Sequence, residues 1–130
     1  MNFFIKKNST LPILVFPITE KIMRQFNLTD EMFQNVAVTF SMVDSETGRF
    51  KIANKAGGLF INNDYAENPE LEKYSLTYKF CQENTSTSGL YLGEFVIDFL
   101  DNDILGKLKL PIDSEINIVI NDTITKTSII

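Results

Sequence analysis

The chain has 130 residues, 44% of them hydrophobic and 22% charged, a size and balance that fit one globular domain with one core and exclude a disordered tail. A net charge of −5 with scattered lysines excludes the clustered basic face that nucleic acid requires. There is no histidine and a single cysteine, Cys81, which excludes histidine general bases, histidine-rich metal sites, cysteine zinc knuckles and an internal disulfide.

The N-terminal "MNFFIKKNSTLP" places a short apolar stretch before Lys6 and Lys7, the wrong order and length for a signal peptide. No run approaches the roughly 20 apolar residues that span a bilayer. The expectation is a soluble protein made in a cytoplasm, with no membrane partner. Glycosylation-type triplets at Asn8, Asn27, Asn84 and Asn121 then read as chance matches in an Asn-rich chain.

"LPILVFPIT", beginning at Leu11, carries Pro12 and Pro17 in an apolar run. Proline cannot donate to a ladder, so this is an edge or entry strand. Thr19 to Met32 alone has helical spacing, with Ile22, Met23 and Phe26 on one side, and predicts a short helix or a turn.

Val36 to Val43 alternates strictly, with Val36, Val38, Phe40 and Met42 on one face. A turn cluster ending in Gly48 follows, then "RFKIAN" with Phe50 and Ile52 set against Arg49 and Lys51, which together predict a hairpin. Lys73 to Phe80 predicts a strand with one dry face, Tyr74, Leu76, Tyr78 and Phe80, and one wet face. Polar "QENTSTS" separates it from Gly89 to Leu100, and the two are expected to pair antiparallel across that loop. In the second of them Tyr91, Gly93, Phe95, Ile97 and Phe99 share a face, and Leu90, Leu92, Glu94, Val96 and Asp98 share the other. Lys107 to Leu110 and Ile116 to Ile120 are further strands, and "TITKTSII" is a last edge strand or an arm. Short strands with turn signals between them predict one antiparallel, immunoglobulin-like β-sandwich over residues 1–130, with at most one short helix and short terminal arms.

Candidate chemistry is sparse. Glu94 and Asp98 would stand about 13 Å apart on a strand, beyond the roughly 5 to 9.5 Å of glycosidase pairs, so they read as solvated positions. Asp101-Asn102-Asp103 before Gly106 hints at a calcium loop, yet Leu105 and Ile112 stand where acids belong, so a turn is expected and no metal. Gly57-Gly58 lacks the Lys-Ser/Thr of a phosphate cradle and reads as a bulge or tight turn. Cys81 reads as an inert, partly buried thiol at a strand end, and Ser or Thr nucleophiles have no visible base. No enzyme and no cofactor are expected.

Taken in order, "LPILVFPI", "VTFSMVDSETGRFKIANKAG", "YSLTYKF", a polar loop, "SGLYLGEFVIDFLD" and "GKLKLPIDSEINIVI" resemble the immunoglobulin-like β-sandwich domain of tailed-bacteriophage structural proteins. They are similar in particular to the N-terminal domain of the baseplate upper protein family, which carries receptor-binding proteins on lactococcal phage tails. The resemblance covers about Leu11 to Ile120 and rests on strand and turn patterns. It implies a non-enzymatic virion component, made in the bacterial host cytoplasm, that docks tail, baseplate, neck or capsid proteins in a homo-oligomer or symmetric array. Those family members continue into helical and receptor-holding segments, so a stand-alone adaptor, collar or decoration subunit is the expectation here.

Phe3, Phe4 and Ile5 at one end and Ile129 and Ile130 at the other are apolar groups that a monomer has difficulty covering, which makes them candidate partner contacts. Both ends tucking back as edge strands of their own domain is the open alternative. A carbohydrate-binding module is the rival function, with Tyr65 and Tyr91 as its candidate stacking rings and the absence of Trp against it.

Overall fold

Period-two alternation becomes paired strand wherever one face can be buried, and most of the chain does this. The computed structural model describes residues 1–64, 72–101 and 106–123. Its strands are β1 (Asn2–Lys6), β2 (Leu14–Ile18), β3 (Val36–Asp44), β4 (Phe50–Ala56), β5 (Gly58–Ile61), β6 (Tyr74–Tyr78), β7 (Gly89–Phe99), β8 (Gly106–Leu110) and β9 (Ile116–Asn121). They form a larger sheet in the order β1-β9-β7-β3-β4, with β8 also on β7, and a smaller one in the order β2-β6-β5. The two pack as the expected all-β sandwich. One ladder departs from the antiparallel expectation: β1 runs parallel to β9, pairing Phe3 with Ile118 and Ile5 with Ile120.

β7 is the central rib. It pairs with β3 along nine residues, from Val36 opposite Phe99 to Asp44 opposite Tyr91. On its other side β8 and β9 lie end to end, Leu110 opposite Phe95 and Ile116 opposite Gly93, so residues 111–115 bulge out beside Glu94. The predicted inward row of β7 is buried throughout, from Tyr91 to Phe99.

The expected β6–β7 pairing is corrected: β6 lies between β2 and β5 in the smaller sheet, and the polar stretch after it crosses between sheets. Alternation reports which face is dry and nothing about the neighbour. Phe80 carries the apolar row of β6 past its end into the core. The crossing is pinned by Thr85, whose buried hydroxyl donates to the Ser9 carbonyl at 2.8 Å, and by the Asn84 side-chain oxygen, which accepts from the Tyr78 hydroxyl and the Cys81 N–H. Cys81 itself is exposed, which corrects its expected partial burial.

Thr19 to Met32 resolves into α1 (Glu20–Gln25), with a 3-10 helix at Asp30–Gln34 just beyond it. The Thr19 hydroxyl accepts from Ile22 N–H as an N-cap, and Arg24 reaches Glu20 one turn back at 3.2 Å. Phe33 of the 3-10 helix stacks on Tyr74 at 4.3 Å, closing one end of the core.

The core itself is one cluster drawn from both sheets. Phe40 and Phe95 from the larger sheet meet Tyr78 and Phe16 from the smaller one, with ring centroids 4.6 Å apart for Phe40 and Tyr78 and 6.2 Å for Phe16 and Phe95. Phe3 stacks on Phe80 at 5.7 Å.

β4 passes from the larger sheet into β5 of the smaller one through Gly57, the device by which sandwich corners are made. Its N–H donates to the Val38 carbonyl at 2.8 Å. A Cβ at position 57 would lie 2.9 Å from the Thr77 carbonyl oxygen and 3.1 Å from a Val38 methyl, so the expected bulge or turn is a crossing that needs contact with bare backbone. Gly57→Ala is predicted to keep a β-rich circular dichroism spectrum while lowering stability by about 1–3 kcal/mol in chemical denaturation. An unchanged denaturation midpoint would show that the crossing has room to spare.

Candidate interaction surface

With the inner row of β7 fixed in the core, its alternate residues must face outward, and two of them are leucines. Leu90 stands opposite Val119 of β9, which stands opposite Phe4 of β1. Leu92 stands opposite Val43 of β3, which pairs with Phe50 of β4. Adjacent strands lie about 4.8 Å apart, so these two rows form an apolar band across the outer face of the larger sheet, from one edge strand to the other. Phe4, Leu90 and Phe50 are 57%, 61% and 66% exposed, while Val43, Leu92 and Val119 are half-buried. Contiguous apolar surface of this kind marks contact sites.

Phe50 was expected to share the inner face with Ile52. The two part because the β3–β4 ladder shifts register twice, between the pairs at Phe40 and Met42 and again between Met42 and Val43. Each shift gives β4 one extra residue, which turns Ile52 into the core and Phe50 into solvent. Asn54, at φ 48, takes up the strain of one of them. Its N–H donates to the Ser41 hydroxyl at 2.9 Å, replacing the lost ladder bond.

The candidate contact residues at the chain ends separate. Phe3 and Ile5 are buried in the domain's own core, which corrects their expected exposure. Phe4, between them in sequence, points out onto the band. Ile129 and Ile130 lie outside the described residues, as do Tyr65 and Asn102 to Leu105 of the candidate calcium loop. Tyr91 is buried, and its hydroxyl donates to the Thr87 carbonyl at 2.8 Å, so it is not free to stack on a sugar. Glu94 and Asp98 share the outer face of β7 as expected.

Beside the band, a cavity of about 300 Å³ is lined by Ser41, Val43, Phe50, Leu92, Glu94, Ser114 and Glu115. A second, of about 400 Å³, opens between α1 and residues 111–114, with Met1, Phe16, Ile22 and Ile112 in its walls and a Lys21–Asp113 ion pair at 3.6 Å across it. Among the described residues, no three acids or cysteines gather as metal ligands would. No described helix is long and apolar enough to cross a membrane.

Perturbed titration belongs to groups that brace the fold. Tyr74 donates to Asp30 at 2.7 Å and Lys73 pairs with the same carboxylate at 3.0 Å. These bonds, that from Tyr74 first, hold Asp30 below the usual carboxylate range. Burial, and then the Asp30 hydrogen bond and charge, push the Tyr74 phenol up to about 12. Burial also raises Tyr78 and Tyr91. No family model, curated protein or solved structure matches the chain.

A phenol whose folded pKa exceeds its ordinary 10.0 stabilises the fold in full below that value and stops doing so as pH rises through about 12. Alkaline titration followed by phenolate absorbance is therefore expected to show a late step near pH 12 that Tyr74→Phe removes. In Asp30→Asn the step moves earlier but stays above 10.0, because burial, the larger cause, remains.

Proposed function

We propose that the protein is a non-enzymatic structural subunit of a tailed-bacteriophage particle, an adaptor or decoration protein that docks neighbouring virion proteins. One observation supports contact as its mode of action: the apolar band running edge to edge over the larger sheet, with Phe4, Leu90 and Phe50 each more than half in water. Docking requires a rigid surface of matched shape, and burial of such side chains provides the driving force without reactive groups. The assignment to a phage particle comes from the resemblance in the order of strands and turns.

A glycan-binding module is the second reading, and the cavity beside Phe50 favours it. An exposed ring flanked by the Glu94 and Glu115 carboxylates and the Ser41 and Ser114 hydroxyls supplies a stacking face and hydrogen-bond partners for sugar hydroxyls.

Mass spectrometry and antibody labelling of purified particles are expected to find the chain at one repeated station. Leu90→Asp and Phe50→Asp alter side chains already in solvent, so both are expected to fold normally and to lose incorporation by about tenfold or more, since truncating central contact residues costs about 2 kcal/mol or more. Absence from particles, together with saturable binding of host polysaccharide that Phe50→Ala abolishes, would instead establish the glycan reading.

A further inference from the structure

Every sheet edge is a row of unpaired main-chain groups, and most edges here are blunted. β4 carries two register shifts and a left-handed Asn54. β2 contains Pro17, which has no N–H. β5 is four residues long, and β8 presents Lys107 and Lys109 to solvent. β1 has none of these devices within its apolar centre.

The phase of the β1–β9 ladder decides which groups β1 leaves free. Met1 carbonyl accepts from Asn117 N–H at 2.9 Å, and Lys7 N–H donates to the Asn121 carbonyl at 2.7 Å. In a parallel ladder alternate residues point to the partner, so Met1, Phe3, Ile5 and Lys7 face β9. Asn2, Phe4 and Lys6 direct their main-chain groups the other way. The Lys6 carbonyl accepts from Ser9 N–H at 3.1 Å, whereas the phase of the ladder turns both main-chain groups of Phe4 away from β9.

We infer that β1 is a homodimerisation edge, pairing antiparallel with β1 of a second copy about a two-fold axis at Phe4. The sequence "NFFIK" is self-complementary in that register. Phe4 meets Phe4 in a reciprocally bonded pair, and each Lys6 N–H reaches the Asn2 carbonyl of the second copy. Phe3 falls opposite Ile5 on the inner side, so each core continues into the next. Lys6 faces uncharged Asn2, and no like-charged side chains are set opposite within the strand. On the outer side the two Phe4 rings cover one another and join the Phe4–Val119–Leu90 rows of both copies. An isologous contact of this kind closes on itself and leaves the β4 end of the band open to other partners. The inference does not depend on where the protein acts.

Sedimentation of the purified full chain is expected to show a concentration-dependent monomer–dimer equilibrium. Phe4→Lys sets two ammonium groups opposite each other and is expected to weaken the dimer by about tenfold or more while leaving the thermal melt of dilute monomer unchanged. A paired Phe4 site places the two Cα atoms about 5.5 Å apart, within disulfide reach. In a Cys81→Ser background, Phe4→Cys is therefore expected to yield a covalent dimer on oxidation, and Phe60→Cys, on the other sheet, is not. A chain that stays monomeric at all concentrations, a dimer indifferent to Phe4→Lys, or equal cross-linking at both positions would overturn the inference.

Discussion

Phe40 sets the separation and rotation of the two sheets. Its ring lies 4.6 Å from Tyr78, 4.9 Å from Phe95 and 6.0 Å from Phe80, so it touches both layers and the crossing segment between them. Such aromatic pairs contribute about 0.5–1.5 kcal/mol each beyond their buried area. Gly93 makes the space: a Cβ there would stand 2.9 Å from the Phe40 ring and 2.8 Å from the Ile118 terminal methyl. A side chain at 93 and the ring at 40 exclude each other, which fixes the register of β7 against β3. That register also selects the outer surface. A slip of one residue would exchange the faces of β7, so Leu90 and Leu92 face outward because Tyr91, Gly93 and Phe95 face the core.

Much of this was legible in the sequence because burial and period two coincide. The inward rows of β3, β7 and β9 follow directly from alternation, the edge position of β2 from the prolines in its apolar run, and α1 from the helical spacing of Ile22, Met23 and Phe26, which left a turn as the alternative. Pairing was less legible. β6 and β7 are neighbours in sequence and sit in different sheets, and no local pattern distinguishes a hairpin loop from a crossing. Phe50 was misplaced because bulges carry no strong signature beyond an Asn able to adopt positive φ. For the N-terminal "FFI", alternation alone would have divided Phe3 and Ile5 from Phe4, but a five-residue strand yields too little pattern to outweigh the expectation of an arm.

The outer band and the core share a logic. Both consist of apolar side chains on strands whose positions are dictated from within, so the surface inherits the rigidity of the interior. A contact protein gains from this, since ordering a flexible surface at the moment of association costs affinity. On the proposed reading the larger sheet serves as a platform, with the cavity beside Phe50 and the exposed rings of Phe4 and Phe50 giving that face its relief.

The parallel alignment of β1 and β9 has a mechanical side. Tension entering ahead of β1 and leaving beyond β9 would pull the two strands lengthwise past each other, loading all five paired positions at once. A hairpin strained at its open end yields bond by bond; strands dragged in shear must surrender their bonds together. Stretched along this axis, the domain behaves as a clasp that holds until it gives way as a whole.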